Sequence, residues 1–292
     1  MKTKTIKKTL KQKFDEWVET LPDTLKEKVR SNTIITGGSI TSMLMKEPVN
    51  DFDIYFRDLE TTHAVASYYV ALFGKPEIQA QLVNKGGVNR VRIAVGKGYR
   101  GETVGNVEDI PQAAGEVEDT YDQLEKAAQE TEDDADKPKY RPIFMSTNAI
   151  TLSNKIQIVI RFYGNPEEIH ANYDFVHCTC YWTSWNNELV LKLEALESMM
   201  AKELRYVGSK YPLCSILRCR KFIQRGWTIN AGQMLKMIIQ CNELDLTDPA
   251  ILEDQLTGVD SAYFLELIHK LKEKDPTKVN TAYLVEIIDR IF

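Results

Sequence analysis

Long apolar runs are missing from this chain. Nowhere do about eighteen apolar residues follow one another, so no membrane-spanning helix is expected. The N-terminus, MKTKTIKKTLKQKF, is basic but lacks the continuous apolar stretch of a signal peptide. Its Ile6, Leu10 and Phe14 recur at helical spacing and predict a short amphipathic helix, with an apolar face too thin to argue for membrane targeting. Cysteine is scarce: five residues, an odd number, with no framework spacing, which points to a reducing and hence cytoplasmic setting. His177-Cys178-Thr179-Cys180 places two thiols on one side of an expected strand. No second pair follows at zinc spacing, so buried free thiols are the expectation. Histidine is rarer still, and neither His170 nor His177 reads as half of an acid/base pair.

A uniform charge is also missing. Residues 101–136 hold 13 Asp and Glu against one Lys, a local charge of −12; set against the chain's net −5, this leaves +7 on the remainder. A basic body suits an anionic partner such as a nucleotide or nucleic acid. The acidic stretch is poor in large apolar residues and cannot offset its ordering entropy, so 101–138 is expected to be a mobile insertion with one transient helix over 121–130. A more specific option is a nucleic-acid mimic that shields a basic cleft.

What is present alternates in period. Residues 1–32 read as two helices broken at Leu21-Pro22-Asp23. Strands are expected over Thr33–Thr36, Phe52–Phe56, Val88–Val95, Asn148–Leu152, Lys155–Tyr163 and Tyr173–Thr179, with helices over Ser39–Met45 and His63–Phe73. From Glu188 onward the pattern is helical, including SILRCRKFIQR, INAGQMLKMIIQ and two terminal helices around Asp275-Pro276. The fold class is therefore α+β: a mixed-sheet head over 33–185, preceded by N-terminal helices and followed by an all-helical region over 186–292.

Thr36 to Phe56, TGGSITSMLMKEPVNDFDIYF, concentrates the chemistry. Asp51 and Asp53 share one face of a strand, where two carboxylates are costly without partners. Two Mg²⁺ (or Mn²⁺) ions would relieve that cost with hard oxygen ligands, and paired metals serve in-line displacement at phosphorus. The Gly37-Gly38 turn at a helix start lets backbone N–H groups approach phosphate, and Ser39 adds a hydroxyl.

In this order the stretch resembles the signature of the polymerase-beta-like nucleotidyltransferase superfamily, with spacing close to the head of tRNA CCA-adding enzymes and bacterial poly(A) polymerases. YPLCSILRCRKFIQRGWTIN resembles their neck helix through Pro212, Leu213, Ile216, Leu217, Arg218, Arg220, Phe222, Gly226, Trp227 and Ile229. The resemblance implies a magnesium-dependent transferase that moves NMP from an NTP to a hydroxyl, with an RNA 3′ end as acceptor and pyrophosphate released. Asp51, Asp53 and a third carboxylate, Asp174, would be catalytic and metal-binding. Gly37, Gly38 and Ser39, with Thr41 and Ser42 in place of the usual Arg-Asp, would form the nucleotide-binding turn. A second alignment is open for Asp174: NYDF can match a ribose-contacting Arg-Arg-Asp-Phe motif. Asn172 and Tyr173 replace both of its arginines, which favours the third-carboxylate reading.

Lys210 and Tyr211 stand where the family has Glu-Asp, and Cys214 where it has Arg, so CTP/ATP selection of the CCA kind does not carry over. Arg161 is a candidate for the triphosphate, and Arg218, Lys221 and Arg225 share a helix face that can meet RNA. Trp182, Trp185 and Trp227 could stack on bases, with core burial as the commoner role. Two other functions stay open: a non-catalytic nucleotide- or RNA-binding protein that kept the fold, or a toxin-like enzyme nucleotidylating host tRNA or protein. A regulatory module whose active part is the acidic insertion is a further reading. A divergent single-copy enzyme with such an insertion would suit a virus or phage.

Overall fold

The computed structural model describes residues 1–76, 78–85, 87–95, 103–105 and 138–246, with the single positions 248, 251 and 255. The expected helix over 121–130, nearly all of the acidic insertion and the terminal helices around Asp275-Pro276 lie outside the described residues.

Helix α1 (Thr3–Glu19) buries Ile6, Leu10, Phe14, Trp17 and Val18, the stripe that its 3.6-residue period dictates. The chain breaks at Pro22, and α2 (Asp23–Asn32) follows. Strand β1 (Thr33–Thr36) leads through Gly37 into α3 (Gly38–Met45), and β2 (Phe52–Phe56) returns. Helix α4 (Leu59–Phe73) starts where the Asp58 side chain caps Thr61 N–H and ends at Gly74 in the left-handed region. A hairpin follows, β3 (Ile78–Lys85) with β4 (Val88–Val95). Next come β5 (Thr103–Gly105), β6 (Pro142–Ser146), β7 (Ala149–Leu152) and β8 (Ile156–Tyr163). The short α5 (Pro166–His170) opens on a capping box between Asn165 and Glu168. Strands β9 (Tyr181–Thr183) and β10 (Glu188–Val190) precede α6 (Leu193–Ala201), α7 (Pro212–Gln224) and α8 (Ala231–Cys241).

Among the described residues the main sheet has eight strands in the order β10-β9-β1-β2-β8-β7-β6-β5, and β3-β4 stands apart. All neighbours in the main sheet are antiparallel except β2 and β8, so the sheet is mixed, as expected. Its two faces differ. Ile35, Ile54, Ile158 and Trp182 point into the large core with α1–α4, where Trp17 Nε1 donates to the Tyr69 hydroxyl at 2.8 Å. Each such fully buried side chain contributes about 1.5–3 kcal/mol of transfer free energy. Ile34, Tyr55 and Val159 point the other way, into a smaller cluster roofed by Ile169, Phe162, Tyr173 and Tyr181.

Two expectations fail here. Tyr173–Thr179 is not a strand: it is a loop with a 3₁₀ turn at Val176–Cys178, held by the Val176 N–H on the Arg205 carbonyl and an isolated bridge from Phe175 to Tyr206. The stretch from Glu188 begins as β10, paired with β9, before the first helix starts at Leu193.

Candidate functional site

The site is built by β1, the turn into α3, and β2. Register pairs Thr36 with Asp53 directly across β1 and β2. Gly37 then leaves the strand with φ of 92°, a conformation open to glycine. A Cβ added there would lie 2.5 Å from Asp53 Oδ2, so the glycine is also required by the approach of the carboxylate. The Gly37 N–H donates to the Cys178 carbonyl at 3.2 Å, and the Thr41 hydroxyl donates to the His177 carbonyl at 2.8 Å. The loop after α5 is thereby fastened to the turn. Ser39, one residue into α3, is buried, and its hydroxyl has no hydrogen-bond partner. This orphaned hydroxyl lies at the N-terminus of α3, two residues past the glycine that Asp53 approaches.

The third candidate carboxylate has partners of its own. Asp174 Oδ1 accepts from the Phe175 N–H at 3.0 Å, and its Oδ2 accepts from Arg218 Nη1 of α7 at 2.7 Å. The strands flanking β2 bring Thr36 and Gln157 level with Asp53, and neither is acidic. Among the described residues no group of three or more His, Cys, Asp and Glu side chains is arranged to hold a metal ion. Asp174 sits on the loop after α5, where its carboxylate pairs with Arg218 of α7. The two regions still share a field: burial first, then Asp174 and Asp53, pushes the Cys178 thiol up. Burial, then Asp53, likewise pushes the Tyr55 phenol up.

The remaining candidates divide. Thr41 and Ser42 are buried within α3, with the Thr41 hydroxyl directed at the His177 carbonyl. Arg161 donates to the Tyr211 hydroxyl, and its guanidinium lies 4.4 Å from the centre of the Tyr211 ring. Arg225 pairs with Glu47 at 2.8 Å, and Lys202 reaches the other oxygen of Glu47 at 3.5 Å. Arg218 and Arg225 thus fasten α7 to Asp174 and Glu47, while Lys221 on the same helix is exposed. Trp182 and Trp227 are core residues; Trp185 is partly exposed beneath the Arg57 guanidinium.

His170 and His177 are structural. His170 Nε2 lies 2.8 Å from the Thr36 hydroxyl and its Nδ1 lies 3.2 Å from Lys192 Nζ, and burial lowers its pKa to about 3. His177 is enclosed by Phe175, Phe222 and Trp227, and burial lowers its pKa to about 4. Gln157 comes level with Asp53 through the pairing of β8 with β2.

Among the described residues no helix is long and apolar enough to cross a membrane. Solved structures of similar outline include a Thermotoga maritima CCA-adding enzyme complexed with tRNA, at 12% identity and a TM-score of 0.38, covering 91% of this chain and 52% of that one. A Bacillus stearothermophilus CCA-adding enzyme in complex with CTP is at 13% identity and a TM-score of 0.37, covering 87% and 51%. The chain spans about half the length of these structures, and likenesses this distant carry no functional argument. A protein of Bacillus phage SPbetaL7, described as Gabija anti-defense 2, is 22% identical over 123 residues, 41% of this chain and 31% of that protein. The Gabija anti-defense 2 family matches residues 8–202, well over half of the sequence, and the chain belongs to that family.

Proposed function

We propose that this protein is a metal-dependent nucleotidyltransferase that serves a phage against the defence called Gabija in the name of its family. The observation that carries the transferase reading is the fit of Gly37 to Asp53. A positive-φ glycine admits a carboxylate oxygen to the turn that opens α3, next to the buried, unpartnered Ser39 hydroxyl. No other residue satisfies both the backbone and the approach. The sequence motif from Thr36 to Phe56 supports the same reading.

In this reading the backbone N–H groups at the start of α3 and the Ser39 hydroxyl receive the β- and γ-phosphates of an NTP. Asp51 and Asp53 are the hard oxygen donors for Mg²⁺. When bound, the metal supplies Lewis-acid stabilisation of the transferring phosphorus. The carboxylates orient the NTP so that the acceptor hydroxyl meets the α-phosphorus in line, and Asp53, held between Thr36 and Gln157, keeps that geometry. Asp174 is a positioning residue: it fixes Arg218 and through it the neck helix. The acceptor is an RNA 3′ end, the anionic partner that the +7 body favours. The finer architecture follows the same lines, with a head over 33–185 and a helical region over 186–292.

One observation favours a second reading, in which the protein binds nucleotide or RNA without catalysis. Neither strand beside β2 offers a carboxylate level with Asp53. Phage infection of cells carrying the defence separates the two. Protection by the native protein that disappears in Asp51→Asn/Asp53→Asn, at equal protein level, is expected for an enzyme. Full protection by that variant would make the protein a binder.

A further inference from the structure

The hairpin of β3 and β4 stands apart from the main sheet and has two unlike faces. On one face Ile78, Val91 and Ile93 are buried in the large core. The other face follows from alternation and register, because residues opposite each other on paired strands share a face. Gln81 opposite Arg92, and Val83 opposite Arg90, therefore point away from that core. Gln79, opposite Ala94, continues the row. Gln79, Gln81 and Arg92 are exposed, and Arg90 is half-buried. The hairpin is fastened along β4: the Ile93 N–H donates to the Thr147 carbonyl at 3.2 Å, and the Tyr163 hydroxyl donates to the Asn89 carbonyl at 3.0 Å.

The charge here has one sign. Residues 78–95 contain Lys85, Arg90 and Arg92 and no Asp or Glu. Arg90 and Arg92 are two residues apart on one strand, about 7 Å at its rise, where like charges disfavour each other. Neither takes part in an ion pair among the described residues, and Arg90 Nε is closed off from solvent without a hydrogen-bond partner. The fold supplies no carboxylate to neutralise the pair, so an anion from outside would relieve it.

The shape and composition of the face select the anion. Guanidinium and carboxamide side chains are the groups that pair bidentately with guanine and adenine edges, and arginine also meets phosphate. The row Gln79, Gln81, Val83, Arg90, Arg92 and Ala94 holds no aromatic ring, so it offers no platform for the unstacked bases of a single strand. Two paired strands lie about 4.8 Å apart and enter the major groove of B-form DNA, about 12 Å wide. The deep, narrow major groove of A-form RNA is closed to side chains.

We propose that the β3–β4 hairpin is a docking ribbon for double-stranded DNA, with Arg90, Arg92, Gln79 and Gln81 facing the major groove. It is a binding site separate from the Gly37–Asp53 turn, and it does not rest on the transferase reading.

The test is fluorescence anisotropy over a series of salt concentrations, with labelled duplex DNA, duplex RNA and single-stranded DNA of one sequence. The proteins are the native chain, Arg92→Gln, Arg90→Gln/Arg92→Gln and Asp51→Asn/Asp53→Asn, each with its melting temperature. The native chain is expected to prefer duplex DNA. Arg92→Gln, at an exposed position that spares the fold, should weaken that binding about tenfold and lower the salt slope by about one. The double variant should lower the slope by about two, with a melting temperature at or above the native one, because two like charges are relieved. The carboxylate variant should bind duplex DNA as the native chain does. Duplex DNA affinity unchanged in both arginine variants would overturn the proposal, as would no binding by the native chain at low salt. Equal or tighter binding of duplex RNA or of the single strand would also overturn it, by removing the groove that the ribbon is proposed to enter. Absence of nucleotidyl transfer, with the DNA losses as expected, would sink the transferase reading and leave the ribbon standing.

Discussion

Asp53 and Asp174 are both held beside the loop after α5, yet they do opposite things. Asp53 is half-buried against a glycine that cannot grow a side chain without meeting it. Asp174 is buried, with its oxygens directed at its neighbour's N–H and at Arg218. The first carboxylate is partly exposed at the turn into α3. The second is satisfied within the fold and holds two elements together. A carboxylate's partners, more than its presence in a motif, separate chemistry from architecture.

The difference can be broken from either end. The largest effect is expected in Asp53→Asn: nucleotidyl transfer falls by about 10³-fold or more, while urea denaturation shows native or higher stability. Equal loss of stability and activity would place Asp53 with Asp174. Gly37→Ala should lose both, because the left-handed backbone is strained and the methyl displaces Asp53, at about 1–3 kcal/mol in unfolding free energy. Asp174→Ala should cost about 3 kcal/mol by leaving Arg218 facing a site without its anion. Asp174→Leu/Arg218→Leu should recover most of it in a double-mutant cycle, and additive losses would show that the pair is not coupled.

Acidification sharpens the same contrast, because His177 lies at the Asp174 end. Its folded pKa, about 4, is below the unfolded 6.5, so between these values the unfolded chain binds the proton and the native chain does not. Stability should be full above pH 6.5 and fall as the pH drops toward 4. His170, lowered to about 3, adds to the same slope. His177→Phe, which keeps a ring among Phe175, Phe222 and Trp227, should flatten the stability–pH curve; an unchanged slope would remove His177 from the account. The smallest effect is expected from Arg225→Ala: the Glu47 pair is partly exposed, and less than about 1 kcal/mol should be lost.

The end of the molecule that holds Asp53 was the legible one. Thr33–Thr36, the helix after Gly37-Gly38 and Phe52–Phe56 are local patterns, and each forms where its period places it. The Asp174 end was not, because its structure is decided at long range. Tyr173–Thr179 has strand composition, but Gly37 and Arg205 capture its backbone groups as a loop. Strands β9 and β10 have three residues each, too short for a pattern, and exist because β1 offers an edge to β9. Arg218 and Arg225 read as an RNA-facing stripe, yet their partners lie 44 and 178 residues away in the chain. Gln157 beside Asp53 follows from register alone.

One measurement tests the central claim most directly: transfer of label from each α-labelled NTP, with Mg²⁺, to RNA by the native protein and by Asp53→Asn. The account predicts label in RNA with the native protein and none above background with the variant. Equal labelling by both, or none by either with every NTP, would contradict it.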